Sequence, residues 1–405
     1  MKDSESKDTD SKSKDMVRET RSSRARLRVA RVVARLLLAR MLLARMLLAR
    51  MPRLGSLPGA LLRGAAPVWA LLLAGCFGDP TEPPPVEIAE VGVVLASTEL
   101  SLTIFEVENP TVTRTVGLGA DGSPVSLAVR GGLAAVPLGI VPAVAVVDLR
   151  EGLLVRTIGL PQGSGATGVA FLNDSIALVA NPNLNSVTPV NVLAGTSGSD
   201  ISVGRFPQAV VVEGSRAFVL NAKLEGFAPD GPASVSVIDI ESLTVIATIQ
   251  LSGENAAAGG IGPDGRLYVV NSGSFGSANG SLSVVSLSSL TEVGHHTGFG
   301  DFPGSLALGP SARAFVGAFS YGVVVWDTSL DAFIRGPANA LEPGGVPSTS
   351  GVGFDEAGRL YTLTPGFCQD RATANRHDGV FEVDLTISVG ICPFAIAFTR
   401  VEGGS

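Results

Sequence analysis

Apolar and polar residues alternate along most of the chain, in short runs that are separated by turn-forming residues. The run 234–251, SVSVIDIESLTVIATIQL, contains two such segments around a polar turn. β-Branched residues at every second position are typical of a half-buried strand. Asp239 ends the first segment, where a short carboxylate can accept hydrogen bonds from the turn backbone. The pattern therefore predicts a β-hairpin.

The same hairpin recurs along the chain. Residues 102–118 and 144–160 align with residues 235–251 without a gap, and four partial copies follow the same pattern. Each of the seven copies has a polar turn residue at the equivalent place: Glu106, Asp148, Asn191, Asp239, Ser286, Asp327 and Asp384. Most intervals are a little over forty residues, a period typical of four-stranded propeller blades. We expect an all-β fold, a seven-bladed β-propeller of four-stranded antiparallel blades.

The two ends of the repeat region complement each other. The first copy has three predicted strands with no strand before them, and the chain ends with one unpaired strand, PFAIAFT at 393–399. This strand resembles the first strands of other blades, PQAVVV at 207 and PGSLAL at 303. We expect the C-terminal strand to pair into blade 1 and close the ring, because closure removes an exposed edge. The propeller then covers residues 89–401.

Residues 1–50 differ from the rest of the chain. A Lys/Asp/Ser run is followed by an Arg-rich stretch that ends in LLLAR, MLLAR, MLLAR. At ~100° per residue, arginines spaced by five spread around a helix, which spoils both an amphipathic face and a membrane span. We interpret residues 1–50 as a disordered extension or as wrongly translated upstream DNA, with the natural start at Met51. A basic arm on a membrane surface is the alternative.

A signal-like segment begins at Met51. Two arginines precede a short apolar stretch, and Leu-Ala-Gly-Cys follows at 73–76. This order resembles the bacterial lipobox, in which the signal is cut before the cysteine and the thiol is lipidated. The resemblance implies a signal peptide at 51–75, lipidation of Cys76, a Pro-rich tether at 76–88, and a periplasmic or surface location in the bacterial envelope. An ordinary secretory signal with an incidental cysteine is the alternative.

The charge of the chain after the signal limits its partners. From Cys76 onward, 14 Lys and Arg face 31 Asp and Glu, a net charge of −17. A body this acidic repels phosphate backbones, so we expect no nucleic-acid partner. We expect a monomer whose contact with the membrane is its lipid anchor.

The second strands of three blades carry a recognisable motif. They read LVAN at 178–181, FVLN at 218–221 and YVVN at 268–271, each before a segment like VSVIDIESLTVIATI. The chain is in this respect similar to the YVTN family of β-propeller repeats, found in surface-layer and periplasmic bacterial proteins. The similarity covers about residues 90–400 and is weaker in blades 6 and 7, which have FVGA and YTLT.

Equivalent polar residues in several blades could suggest a ring of ligands. We interpret them as turn residues that satisfy the backbone of their own blade. This interpretation covers Asp148, Asp239, Asp327 and Asp384, and also Asn181, Asn221 and Asn271.

Strand alternation predicts which loops share a face. Second-to-third loops and blade-to-blade connections should lie together, and the long loops at 222–233, 272–280 and 365–379 make this the expected binding face. The candidate binding residues there are His295, His296, His377, Asp230, Asp301 and Asp370. The pair His295–His296 lacks a recognised ligand spacing, so we predict no metal, no cofactor and no catalytic residue.

The propeller sequence contains no nucleophile elbow, phosphate loop or HExxH motif. We therefore expect a non-catalytic binding or scaffolding module that contacts a protein, peptide or glycan. The alternative is an envelope enzyme on a propeller scaffold, of the lactonase or metal- or quinone-dependent dehydrogenase type. A cluster of His, Glu and Asp at the channel mouth would favour the enzyme, whereas small neutral residues would favour the binding module.

Two cysteines remain after Cys76. Cys368 is predicted in the second-to-third loop of blade 7, and Cys392 at the junction into the closing strand. Both then lie on the same face in neighbouring blades, in an oxidising compartment. We predict a Cys368–Cys392 disulfide, with two separate thiols as the alternative.

Overall fold

A computed structural model describes residues 88–402. The predicted signal peptide, Cys76 and nearly all of the tether lie outside the described residues, as do residues 403–405. Within residues 88–402, no helix has the length and hydropathy needed to cross a membrane.

The first three blades occupy residues 88–202. Blade 1 contains β1 (Ile88–Ala96), β2 (Ser101–Glu106) and β3 (Thr113–Gly117). Blade 2 contains β4 (Ala128–Arg130), β5 (Leu133–Pro137), β6 (Ala143–Asp148) and β7 (Leu153–Gly159). Blade 3 contains β8 (Val169–Phe171), β9 (Ile176–Asn181) and β10 (Ser186–Asn191), followed by β11 (Thr196–Ser197) and β12 (Ile201–Ser202). Because β11 and β12 both pair with β10, they share the fourth position of this blade.

Blades 4 and 5 have the full four strands. Blade 4 contains β13 (Pro207–Glu213), β14 (Arg216–Asn221), β17 (Ser234–Asp239) and β18 (Thr244–Gln250). The loop between β14 and β17 forms a small hairpin of its own, β15 (Leu224–Glu225) and β16 (Ala228–Pro229). Blade 5 contains β19 (Ala256–Ile261), β20 (Leu267–Asn271), β21 (Ser281–Ser286) and β22 (Thr291–Thr297).

Blades 6 and 7 complete the ring. Blade 6 contains β23 (Pro303–Gly309), β24 (Arg313–Ala318), β25 (Gly322–Asp327) and β26 (Ala332–Arg335). Blade 7 contains β27 (Gly351–Phe354), β28 (Leu360–Thr364), β29 (Arg371–His377) and β30 (Val383–Ile391). Three short 3-10 helices lie in the connections, at Pro182–Leu184, Pro337–Asn339 and Pro343–Gly345.

The last strand, β31 (Pro393–Glu402), closes the propeller. It pairs antiparallel with β1, from Ile88 opposite Glu402 to Ala96 opposite Pro393, and makes the sheet order β3-β2-β1-β31. The predicted seven blades and the predicted ring closure are both confirmed. The two ends of the described chain therefore lie side by side in one blade.

The central strands of a blade differ from its outer strand in how far they are buried, and their sequences reflect this. In a propeller both faces of each blade are covered by neighbouring blades, so a central strand needs no polar face. Every residue of β20 is accordingly buried, whereas β18 at the outer edge is mostly exposed. The seam at the closing blade is built like the others, with Val94 and Phe105 packed against Tyr361 and Leu363.

Blade 7 corrects one part of the predicted arrangement. The segment VFEVDL, expected to end a third strand at Asp384, belongs to the turn and the fourth strand, β30. The third strand is β29, and its turn residue is Asp378, whose Oδ1 accepts hydrogen bonds from the Val380 and Glu382 amides at 3.0 and 2.9 Å. Third and fourth strands share the same two-residue alternation, so the sequence pattern did not distinguish them. The preceding loop is consequently 365–370, shorter than predicted.

Turn capping by three of the predicted aspartates is confirmed. Oδ1 of Asp148, Asp239 and Asp327 accepts hydrogen bonds from backbone amides two or three residues ahead, at 2.9 to 3.0 Å. Hydrogen bonds from Ser242 to Asp239 and from Ser329 to Asp327 lower the pKa of both carboxyl groups. These acids are engaged within their own turns.

Candidate functional site

The two ends of the ring differ in their connections. We call one end the turn face; it carries the turns between first and second strands and between third and fourth strands. The other end, the loop face, carries the second-to-third loops and the blade connections, which are residues 97–100, 118–127, 138–142, 160–168, 182–185, 203–206, 222–233, 251–255, 272–280, 298–302, 319–321, 336–350, 365–370 and 392. Because β1 runs towards loop 97–100, the chain enters the propeller at the turn face.

Three predicted acids lie on the loop face as expected. Asp230 pairs with Arg205 across two adjacent connections. Asp370 is exposed in the loop before β29. Asp301 joins three segments, because its Oδ1 accepts a hydrogen bond from the Gly276 amide at 2.7 Å and its carbonyl accepts one from Ser320 Oγ at 2.8 Å. The loop face is therefore braced by side-chain contacts.

His295 and His296 lie at the loop-face end of a strand rather than in the loops themselves. Both belong to the outer strand β22, which continues to Thr297. His295 is exposed, whereas His296 packs on Trp326 with ring centroids 4.9 Å apart, and its Nε2 lies 3.4 Å from Asp331 Oδ1. His296 thus joins the edges of blades 5 and 6.

His377 is at the opposite end of the ring from its predicted place. It ends β29 at the turn face and is only 2% exposed. Its Nδ1 lies 2.9 Å from the Phe381 carbonyl and must donate to it, which leaves Nε2 to accept from Thr362 Oγ1 at 2.9 Å. Burial lowers the pKa of His377. The ring is neutral and fully bonded, and it holds the turn 378–382.

The asparagines of the YVVN-like motifs are not turn residues but buried connectors. Asn181, Asn221 and Asn271 are all 0% exposed. In each case Nδ2 donates to two hydroxyl groups of the third strand, which belong to Ser186 and Thr188, Ser234 and Ser236, and Ser281 and Ser283. The motif therefore ties the second strand to the third at the loop face.

Phenylalanines dominate the loop face, and the candidate residues chosen from sequence do not include them. Six of the 17 phenylalanines of the chain lie in its loops with exposed or half-buried side chains, and a seventh lies at the adjoining start of β31: Phe206, Phe227, Phe275, Phe302, Phe319, Phe367 and Phe394. Phe299 is in the same loops but is buried. Phe227 is 98% exposed, Phe367 96% and Phe275 82%. Burying one such side chain contributes about 1.5–3 kcal/mol, so their exposure on one face marks a surface that a partner can cover.

Two of the exposed rings are held by a neighbouring ring. Phe275 packs edge-on against Phe302 with centroids 5.7 Å apart, and Phe319 packs against Phe394 at the same distance. The loop that carries Phe319 is fixed by Tyr321, whose hydroxyl donates to the Phe299 carbonyl at 2.5 Å. Rigid aromatic side chains lose little conformational entropy on binding, so this arrangement favours recognition.

The inner strands begin with small or apolar residues at the loop-face side and carry their charges towards the turn face. The first residues are Ala128, Val169, Pro207, Ala256, Pro303, Gly351 and Pro393. Within residues 88–402, the charged side chains of the inner strands are Arg130, Glu213, Arg400 and Glu402. In the same part of the chain, no three His, Cys, Asp or Glu side chains are grouped as a metal site would require.

Cys368 and Cys392 form a disulfide at the edge of the loop face. This is the pair that the sequence predicts to be bonded. The bond lies directly beside the exposed Phe367 and immediately before β31, so it fixes both an exposed aromatic residue and the closing strand.

Comparison with known proteins supports the fold. A solved structure titled Kuenenia stuttgartiensis hydrazine synthase is similar, with a TM-score of 0.56 and 16% sequence identity, over 69% of this chain and 95% of that chain. At this identity the similarity shows a shared β-propeller fold and nothing about activity. No protein-family model matches the sequence, and no curated protein matches it.

Proposed function

We propose that this protein is a lipid-anchored propeller of the bacterial envelope, of the YVTN type, that binds a protein, peptide or glycan through its loop face without catalysing a reaction. The observation that carries the proposal is the set of seven phenylalanines on that face. The lipobox-like Leu-Ala-Gly-Cys at 73–76 supports the anchor, and the LVAN, FVLN and YVVN strands support the family.

The point at which the chain enters the propeller supports an orientation in which the loop face points away from the membrane. Ile88 lies at the turn face, so a tether before it attaches the propeller by the end opposite the phenylalanines. The eleven residues between Cys76 and Ile88 would reach at most ~40 Å when fully extended, enough to hold the propeller near a membrane. The loop face is then the end presented to a partner.

The chemistry of the loop face favours a partner with apolar groups. Exposed aromatic rings stack on sugar faces or insert between apolar side chains of another protein. Acids such as Asp230 and Asp370 lie among the rings of the loop face.

A variant pair tests the proposal. In the loop-face variant, Phe227, Phe275 and Phe367 are all changed to Ser. In the matched control, Leu153 and Leu330, which are exposed at the turn face, are changed to Ser. Wild type and both variants are cross-linked in intact cells, recovered from solubilised envelope and compared for bound protein and glycan.

The loop-face variant should lose its cross-linked partner while the control keeps it. Equal recovery of partners by both variants would place recognition elsewhere on the propeller. Turnover of lactone or alcohol substrates by the purified protein, lost on mutation of channel residues, would favour the enzyme alternative.

A further inference from the structure

A separate cleft opens at the turn face, between blades 6 and 7. Its volume is about 410 Å³, within the range of pockets that hold one small molecule. Three phenylalanines form its apolar wall: Phe354 and Phe381 pack edge-on against Phe315, with centroids 5.2 and 5.5 Å apart. The wall therefore suits a flat, apolar group.

Arg313 supplies a positive charge beside this wall. It begins β24, is half-buried, and has its guanidinium carbon 5.9 Å from the centre of the Phe381 ring. The ion pairs among residues 88–402 do not include Arg313. Asp327 lies opposite it in β25, and the charge of Arg313 contributes, after the hydrogen bonds from Ser329, to the lowered pKa of Asp327, but no hydrogen bond or ion pair of the described residues joins the two side chains. The guanidinium donors of Arg313 are thus open to a ligand.

The other charged groups of the cleft are already satisfied. Arg359 pairs with Asp355 and Glu108. Asp384 receives two hydrogen bonds from Arg376, at 2.9 and 3.0 Å.

Two further polar residues of the cleft are engaged, whereas Ser311 is exposed. Asp378 Oδ1 accepts from two amides of its turn, and both nitrogens of His377 are used within blade 7. Among the described residues Arg313 is therefore the cation of the cleft that is in no ion pair, and a guanidinium prefers a planar anion that accepts two parallel hydrogen bonds.

We infer that this cleft binds a small aromatic carboxylate. The carboxylate would accept two hydrogen bonds from Arg313, and the ring would lie against Phe354 and Phe381. The site is independent of the loop face, because it is at the other end of the ring and shares no residue with it.

Three probes test the contact with the carboxylate and the contact with the ring separately. The purified protein is titrated calorimetrically with phenylacetate, with 2-phenylethylamine, which keeps the ring but reverses the charge, and with acetate, which keeps the charge but lacks the ring. Phenylacetate should bind at least about tenfold more tightly than either comparator, since each lacks one of the two contacts.

Variants of Arg313 then test whether this residue binds the carboxylate. Arg313→Gln should weaken phenylacetate binding about tenfold or more, and Arg313→Lys should weaken it less because the charge remains. The control is Arg156→Gln, an exposed arginine in β7 of blade 2, which should bind as wild type does. Circular dichroism checks that each variant folds; should Arg313→Gln be unfolded, the comparison rests on Arg313→Lys and on the three probes.

The inference is overturned if phenylacetate does not bind, or if acetate or 2-phenylethylamine binds equally well. It is also overturned if Arg313→Gln binds phenylacetate with unchanged affinity, because the anion would then be held by another group.

Discussion

The Cα atoms of Cys368 and Cys392 lie 4.4 Å apart, and the disulfide between them joins the second-to-third loop of blade 7 to the residue before β31. The bond encloses 24 positions of sequence and so restricts the unfolded chain. It also anchors the residue that directly precedes the strand closing the ring.

Removing this disulfide should therefore lower the stability of the propeller. Changing both Cys368 and Cys392 to Ala should reduce the free energy of unfolding by about 3 kcal/mol, on a loop-entropy estimate. Urea denaturation measures the change, and wild type under reducing conditions should behave like the variant. Two thiols that react with a thiol reagent in the folded, unreduced protein would contradict the bond.

Ring closure gives a second prediction. Deleting residues 393–405 removes β31, exposes the inner edge of β1 and uncovers the cluster around Phe105 and Tyr361. We expect aggregation or a large fall in the thermal midpoint, because an open hydrophobic edge pairs with other chains. A deletion of residues 403–405 alone is the control and should leave the midpoint unchanged.

Replacing a buried asparagine should lower the free energy of unfolding more than replacing an exposed one. Asn271→Ala removes two hydrogen bonds and leaves the hydroxyl groups of Ser281 and Ser283 without their donor. The expected loss is about 1–3 kcal/mol, whereas Asn109→Ala on the surface should change stability little. The urea unfolding midpoints of the two variants measure this difference. Equal midpoints would mean that the buried hydrogen bonds contribute no net free energy to stability.

Acid should weaken the turn that His377 holds. Burial lowers the pKa of His377, while the carboxylates of Asp378, Glu382 and Asp384 act in the opposite direction. The unfolded chain then takes up a proton near its ordinary pKa of 6.5 before the folded protein does. Stability from this group is complete above pH 6.5 and falls as the pH drops towards the folded pKa.

The measurement compares unfolding free energies at pH 7.5 and 5.5. His377→Gln should lose part of the pH dependence that wild type shows, because glutamine does not titrate. His295→Gln, at an exposed position, is the control and should keep the wild-type slope. An unchanged slope in His377→Gln would assign the pH dependence to other groups.

Membrane attachment through Cys76 gives the fifth prediction. Cys76→Ser should release the protein from the membrane fraction or block processing of its signal. Fractionation and the mass of the N-terminal peptide measure this outcome. Wild-type fractionation of the variant, together with an unmodified Cys76 in the parent protein, would reject the anchor.

The sequence predicted the fold well because the blades repeat. An aspartate or equivalent polar residue after the third strand recurs with a nearly constant period, and this period identifies the blade number before any contact is known. In blade 7 the same pattern failed. Asp384 follows an alternating run like the others, but that run is the turn after the third strand and the first residue of the fourth. Alternation alone carries no information about strand position.

The sequence predicted where the loop face lies better than it predicted which side chains that face exposes. Asp230, Asp301 and Asp370 lie there, because strand alternation determines which loops share an end. His377 was misplaced because the third strand of blade 7 was assigned to residues after it, and one turn reverses the end at which a residue lies. His295 and His296 lie at the loop-face end of β22. Phenylalanines scattered through loops have no periodicity, so Phe227, Phe275 and Phe367 gave no signal until the fold brought them to one end.

The pairing of β1 with β31 also determines how the molecule resists mechanical force. Suppose that the chain is pulled at Ile88 while a partner holds the loop face. The force then runs along β1, parallel to its strand axis, and loads the ladder from Ile88–Glu402 to Ala96–Pro393 in shear. Hydrogen bonds loaded in shear must break together rather than one at a time. Unfolding under load is governed by the rate of that step, so we expect the closing strand to set the force at which the ring opens.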